Sequence, residues 1–146
     1  MGKKIGALVT DKFDKVLEGE SIYDAIKKIA VNRETSIACV VDGENKLKGL
    51  LTPRNILETL EVRELGVVRG RFFAGPEILH LLTSKYAKDI MSAPVSVKVN
   101  DEIEQVINLM LDEGFYELPV VDEDVKVVGT INYFDIILSS LKELKD

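Results

Sequence analysis

The sequence predicts a mixed α/β (α+β) fold in which two β-α-β-β-α motifs, related by a pseudo-two-fold axis, flank a partly helical insert. Three observations carry that prediction. The chain repeats itself, each copy alternates between helical and strand-like apolar periods, and 46% of its 146 residues are apolar. In the first copy Ile22, Ala25, Ile26 and Ile29 precede Val40-Val41-Asp42 and Gly49-Leu50-Leu51-Thr52. In the second, Ile103, Val106, Ile107 and Met110 precede Val120-Val121-Asp122 and Gly129-Thr130-Ile131-Asn132. Ile22 and Ile103 stand 81 residues apart and Gly49 and Gly129 stand 80 apart, so a single loop residue separates the two registers. A copy of about 50 residues buries too little surface to be comfortably stable alone, and pairing the copies on a shared apolar face solves that.

The elements follow in order. Ser21 is placed to cap a helix from Ile22, Asp42-Gly43-Glu44-Asn45 makes a hairpin turn, and Pro53 suits the first position of the next helix. Residues 62–86 form an insert with Gly66, Gly70, Gly75, Arg63, Arg69, Arg71 and Phe72-Phe73, and Pro76 opens a short helix over Glu77–Ser84. A connection of this length is usually functional or mobile. Its apolar residues can pack over the repeats, its arginines can reach a phosphate, or it can serve as a docking surface. In the second copy Val95, Val97 and Val99 alternate as a half-buried strand. Asn100 or Asp101 caps the helix that Gly114 ends, and Leu118–Val121 is a short apolar strand. Asp122-Glu123-Asp124 makes a solvated turn into Val125–Ile131, and Asn132 caps a last helix bearing Phe134, Ile137, Leu138, Leu141 and Leu144. The chain thus divides into 1–61, 62–86 and 87–146, combined in one structural domain.

Composition excludes several functions. Nineteen Lys+Arg against 25 Asp+Glu leave a net charge of −6, which disfavours nucleic acid as a partner. No apolar run approaches the ~18 residues that cross a bilayer, and no signal-like stretch follows Lys3-Lys4, so a cytoplasmic location without membrane contact is expected. The single cysteine, Cys39, rules out an intrachain disulfide and a cysteine-based zinc site, and reads as a small buried strand residue. The single histidine, His80, leaves no histidine cluster or Ser-His-Asp triad and has a surface or packing role. Phosphate-loop, dinucleotide and zinc-protease signatures are all missing, so neither a catalytic residue nor a metal ligand is assigned.

Three segments of the second copy resemble a CBS motif, named after cystathionine beta-synthase. They are Ala87-Lys88-Asp89-Ile90-Met91 with Pro94-Val95, Leu118-Pro119-Val120-Val121-Asp122, and Val128-Gly129-Thr130-Ile131-Asn132-Tyr133-Phe134-Asp135-Ile136. The first copy keeps Val40-Val41-Asp42 and Gly49-Leu50-Leu51-Thr52-Pro53-Arg54-Asn55-Ile56, with Phe13 where the second has Pro94. The whole looks like a stand-alone tandem CBS pair, or Bateman module. That resemblance implies a non-catalytic regulatory module, a disc-like homodimer, an unknown protein partner, and an adenosine-containing ligand (AMP, ADP, ATP or S-adenosylmethionine) as regulator rather than catalytic cofactor.

In the family a Gly-x-x-Thr/Ser-x-x-Asp segment lines the cleft between motifs. The aspartate accepts from the ribose hydroxyls and the hydroxyl residue meets phosphate. The chemistry is intelligible, because a helix start presents free N–H groups to an anion and a carboxylate is a pure acceptor suited to a diol. Carried over, the second-copy site comprises Asp135, Asn132 at the Thr/Ser position, Thr130, and Tyr116, Glu117 and Pro119 at the border. Ile5 and Gly6 from the opposite motif face adenine. The first-copy site comprises Thr52, Arg54 and Asn55, with Ala87 and Ile90 as adenine wall. Asn55 replaces the aspartate, so the Asp135 site ranks first. Both segments also read as helix N-caps, a role compatible with binding. The alternative function is a protein-interaction or dimerisation scaffold with degenerate, empty clefts.

Overall fold

The hairpin turns decide how the two copies meet. In the computed structural model, which describes residues 3–31, 36–65 and 83–144, Asp42 Oδ1 accepts from the N–H groups of Glu44 (2.8 Å) and Lys46 (3.0 Å). Asp122 Oδ1 does the same for Asp124 (2.9 Å) and Lys126 (3.0 Å). The two turns then bond to each other: Leu47 N–H donates to Val125 O (3.0 Å) and Val127 N–H to Asn45 O (3.2 Å). These two bonds are equivalent under the 80-residue repeat, so the pseudo-two-fold axis passes between Lys46 and Lys126.

Each copy carries a three-stranded sheet. In the first, β1 (Asp14–Leu17) runs parallel to β2 (Ala38–Val41), which pairs antiparallel with β3 (Leu47–Leu51). The second repeats this with β4 (Val97–Lys98), β5 (Glu117–Val121) and β6 (Val127–Asn132). Helices α1 (Ile22–Val31) and α4 (Ile103–Glu113) make the crossovers that parallel pairing demands, while α2 (Pro53–Leu60) and α5 (Tyr133–Leu144) follow the hairpins. Alternation along β2 builds two cores at once. Val40 joins Val16, Ala25, Leu51 and Ile56 inside the first copy. Cys39 and Val41 turn the other way, onto Ile37, Leu47, Leu50, Val121 and Val127 between the copies. Burial, foremost, pushes the Cys39 thiol up to about 12, as suits a structural residue.

The segments that lead into the copies are exchanged. The 3₁₀ turn Ile5–Leu8 packs on the second copy, where Ile5 N–H donates to Asp101 O (3.0 Å) and Thr10 and Thr130 exchange backbone bonds (2.8 and 2.9 Å). Conversely, α3 (Ala87–Ile90) packs on the first core, and Leu50 and Ser92 exchange bonds (3.1 and 2.8 Å). The chain crosses β3 and β6 at Gly49 and Gly129, where a Cβ would collide with the carbonyls of Ser92 and Thr10 respectively.

Local details depart from expectation at three places. Neither Asn100 nor Asp101 caps α4. Glu102 holds the cap position and its N–H donates to Gln105 Oε1 (3.0 Å), because the Asp101 carboxylate is spent on Lys98 N–H (2.9 Å) in the preceding turn. The Val95–Val99 strand contracts to Val97–Lys98, and β6 starts at Val127 because the turn still occupies Val125. In α5 the apolar residues singled out from the sequence face outward, and Ile136 is the one in the core. Ser21, Gly114 and Pro53 act as expected. The insert helix over Glu77–Ser84 falls mainly outside the described residues, and Arg69, Arg71 and His80 fall wholly outside them. Among those described, no helix is long and apolar enough to cross a membrane.

The turns also contain a strained residue. Asn45 and Val125 hold equivalent left-handed conformations, φ 66° and 65°. Asparagine visits that region readily and a β-branched side chain does not. Val125 is half-exposed, so little burial is at stake. Val125→Asn is expected to stabilise the fold by about 1 kcal/mol, raising the melting temperature by ~2–4 °C in calorimetry.

Candidate functional site

The second-copy site forms where β6 becomes α5. Asp135 N–H donates to Asn132 Oδ1 (3.1 Å), and Asn132 N–H donates to Asp135 Oδ2 (2.8 Å). This reciprocal cap fixes both side chains at the helix start. It uses one carboxylate oxygen. The other, Oδ1, is approached by Thr10 Oγ1 at 3.5 Å, the limit of a hydrogen bond. Thr10 comes from the segment leading into the first copy, so the half-buried carboxylate sits at a junction of the two repeats.

Aromatic side chains flank that carboxylate. Tyr116, 39% exposed, packs edge-on against Tyr133 (5.1 Å between centroids) and Phe134 (6.1 Å), and Tyr133 N–H donates to Tyr116 O (3.2 Å). Burial, then the charges of Glu117 and Asp135, raises the Tyr116 hydroxyl above its ordinary value. Glu117 is buried, and its Oε1 accepts from Ser36 N–H (2.7 Å) and Ser36 Oγ (2.9 Å), a bond between copies. Pro119 and Thr130 pair across β5 and β6. Ile5 is fully buried in the second core, while Gly6 is exposed beside Val99.

The first-copy segment makes the same cap from different residues. Asn55 N–H donates to Thr52 Oγ1 (3.1 Å) and Thr52 N–H to Asn55 Oδ1 (2.8 Å). Asn55 Nδ2 donates in turn to Leu50 O and Ile90 O, both at 3.3 Å. Arg54 is exposed and bonds Glu58 (3.0 Å). Ala87 and Ile90 are buried in the first core.

Sequence reasoning missed Thr10, Tyr133 and Ser36. Thr10 had a signal: it and Ser92, both hydroxyl residues, occupy equivalent crossing points on β6 and β3. No group of three metal-binding side chains occurs among the described residues. An open hollow of about 560 Å³ lies apart from either segment, lined by Asp14, Glu20, Asp24, Lys27, Lys28 and Val31. Lys28 bonds Glu20 across it (2.7 Å), which makes it a solvated ion-pair surface rather than the cleft.

Comparison with known proteins places this geometry. A sequence profile of the CBS domain matches residues 5–62 and 87–142. The chloroplastic CBS domain-containing protein CBSX1 of Arabidopsis thaliana is 26% identical over 152 residues, covering 94% of this chain and 64% of that protein. The chain therefore spans less than two thirds of that curated relative. A CBS domain-containing protein of Thermotoga maritima shares the fold with a TM-score of 0.77 at 26% identity, covering 97% of this chain and 96% of that one. The cytosolic domain of the Mg²⁺ channel MgtE, solved in complex with ATP, gives 0.69 at 26% identity over 95% of this chain and 49% of its own. With both copies matched and the paired architecture shared, this chain belongs to the CBS-domain family, as a tandem pair of CBS motifs.

Proposed function

We propose that this CBS pair is a regulatory, non-catalytic sensor that binds an adenosine-containing ligand (AMP, ADP, ATP or S-adenosylmethionine) in the cleft bounded by Asp135. The observation that carries the reading is the Oδ1 atom of Asp135. It is held in place by the cap, half-buried, and weakly met by Thr10, so it is an acceptor in need of donors. A ribose diol supplies them. At the start of α5 Asn132 offers its side-chain amide to the phosphates, and Tyr116 with the exposed Gly6 borders the base, while Ile5 lies sealed in the core beneath. The ATP complex of the MgtE domain supports a ligand of this class. Because Thr10 and Asp135 belong to different repeats, a ligand bridging them favours one relative arrangement, which is the change a partner would read. A thermal-shift titration with AMP, ATP and S-adenosylmethionine tests this. Stabilisation by at least one is expected, and none by any would overturn it.

The same module is read as a homodimer. Phe134, Ile137, Leu138, Leu141 and Leu144 form one outward stripe of α5, each at least half exposed. An apolar stripe of that length is unusual on a monomer. Sedimentation velocity at micromolar concentration should show a dimer, and a strictly monomeric species would remove this part of the reading.

A further inference from the structure

We infer that Asn55 is an internal clasp that closes the first-copy cleft to nucleotide, so that each chain carries a single sensing site. This rests on the sensor reading above for its ligand, but the clasp itself stands on bonds within the protein. All the hydrogen-bonding capacity of the Asn55 side chain is engaged. Oδ1 accepts from Thr52 N–H (2.8 Å) and lies 3.3 Å from Thr52 Oγ1, while Nδ2 donates to Leu50 O and Ile90 O. The amide orientation follows from its partners, since a backbone N–H requires the oxygen and two carbonyls require the nitrogen.

The consequence is an asymmetry between the clefts. Leu50 lies on β3 of the first copy and Ile90 on the segment leading into the second. The amide therefore joins the two walls between which a ligand would have to enter. At the equivalent position Asp135 has no donor to offer, and its Oδ1 meets the opposing segment only through the 3.5 Å contact with Thr10. In the second cleft a ligand's hydroxyls can complete the bridge. In the first, Asn55 already completes it, and a ribose would have to break two bonds while gaining no charged acceptor.

Asn55→Asp isolates this effect. The second copy shows that an aspartate at this position makes the same cap, so the variant keeps the helix start. It loses the two donated bonds and sets a carboxylate oxygen against two carbonyls. Hydrogen exchange at the Ser92 amide, which is bonded to Leu50 O, reads the attachment of the leading segment. Exchange there should quicken roughly tenfold in Asn55→Asp and in Asn55→Ala. It should quicken markedly less in Thr52→Ala, which removes the capping hydroxyl and its 3.3 Å contact with Asn55 Oδ1 but leaves both bonds donated by Nδ2. Calorimetric titration with ATP and with AMP should give one equivalent per wild-type chain and a second equivalent in Asn55→Asp. Unchanged exchange in both Asn55 variants, or two equivalents on the wild type, would overturn the clasp. Absence of any binding to the wild type would overturn the sensor reading instead, and the exchange rates would still decide the clasp.

Discussion

Gly129→Ala is expected to destabilise the protein by about 2–3 kcal/mol and to lower its melting temperature by roughly 4–10 °C. The cause is the crossing of the first leading segment over β6. A Cβ at Gly129 would fall on the carbonyl oxygen of Thr10 and on Val9 Cγ1. The carbonyl cannot swing aside, because Thr10 is tied to Thr130 by two backbone bonds. Relief requires moving the segment as a whole, which breaks those bonds and withdraws Leu8 and Val9 from the second core. It also moves Thr10 away from Asp135, so any nucleotide-induced stabilisation should shrink. Gly49→Ala meets Met91 and the Ser92 carbonyl at the equivalent crossing, and the thioether can yield where that carbonyl cannot. Gly19, with open space where a Cβ would stand, is the control: Gly19→Ala should change stability by less than ~0.5 kcal/mol. Urea denaturation of the three variants checks the order. A Gly129→Ala curve superimposed on that of Gly19→Ala would mean that the crossing is looser than the geometry states.

What the sequence discloses and what it hides follow one physical division. The repeat, the helix stripes and the turn signals are periodic or local, so Ile22 with Ile103, Asp42 with Asp122 and Gly114 can be read in one pass. Asn132 and Asp135 belong with them, because a cap is a contact across three residues. The exchange of leading segments depends on contacts far apart in the chain, such as Thr10 with Thr130 and Leu50 with Ser92, and no local pattern encodes those. The same holds for Glu117. Taken alone it is a carboxylate near a cleft, and its partner Ser36 becomes visible only once the copies are packed. Asn55 is the subtler case. Its identity was legible as a departure from an acidic position, but its meaning lay in two carbonyls that folding brings to its amide. The cap of α4 shows competition between good local choices: Asn100 and Asp101 suit a cap by type, yet the turn after β4 claims Asp101 first.

The largest functional effect is expected at Asp135. A ligand present at 100 times its dissociation constant stabilises the folded chain by about 2.7 kcal/mol. At this chain length that is a melting-temperature rise of roughly 5–10 °C. Asp135→Asn should abolish most of it. The amide preserves the cap through its oxygen, so the unliganded protein should melt within a degree or two of the wild type. It replaces the acceptor facing Thr10 by a donor, which cannot receive a ribose hydroxyl and loses the charge-assisted bonds. Asp135→Ala removes acceptor and cap together. It should forfeit the ligand effect and about 1 kcal/mol of intrinsic stability besides. Asn55→Ala, in the cleft that is already closed, should lose intrinsic stability while retaining the ligand-induced rise. The pattern across the three variants separates binding from capping. A full rise in Asp135→Asn would show that the carboxylate is a cap and nothing more, and an equal loss in Asn55→Ala would show that the two clefts share the ligand.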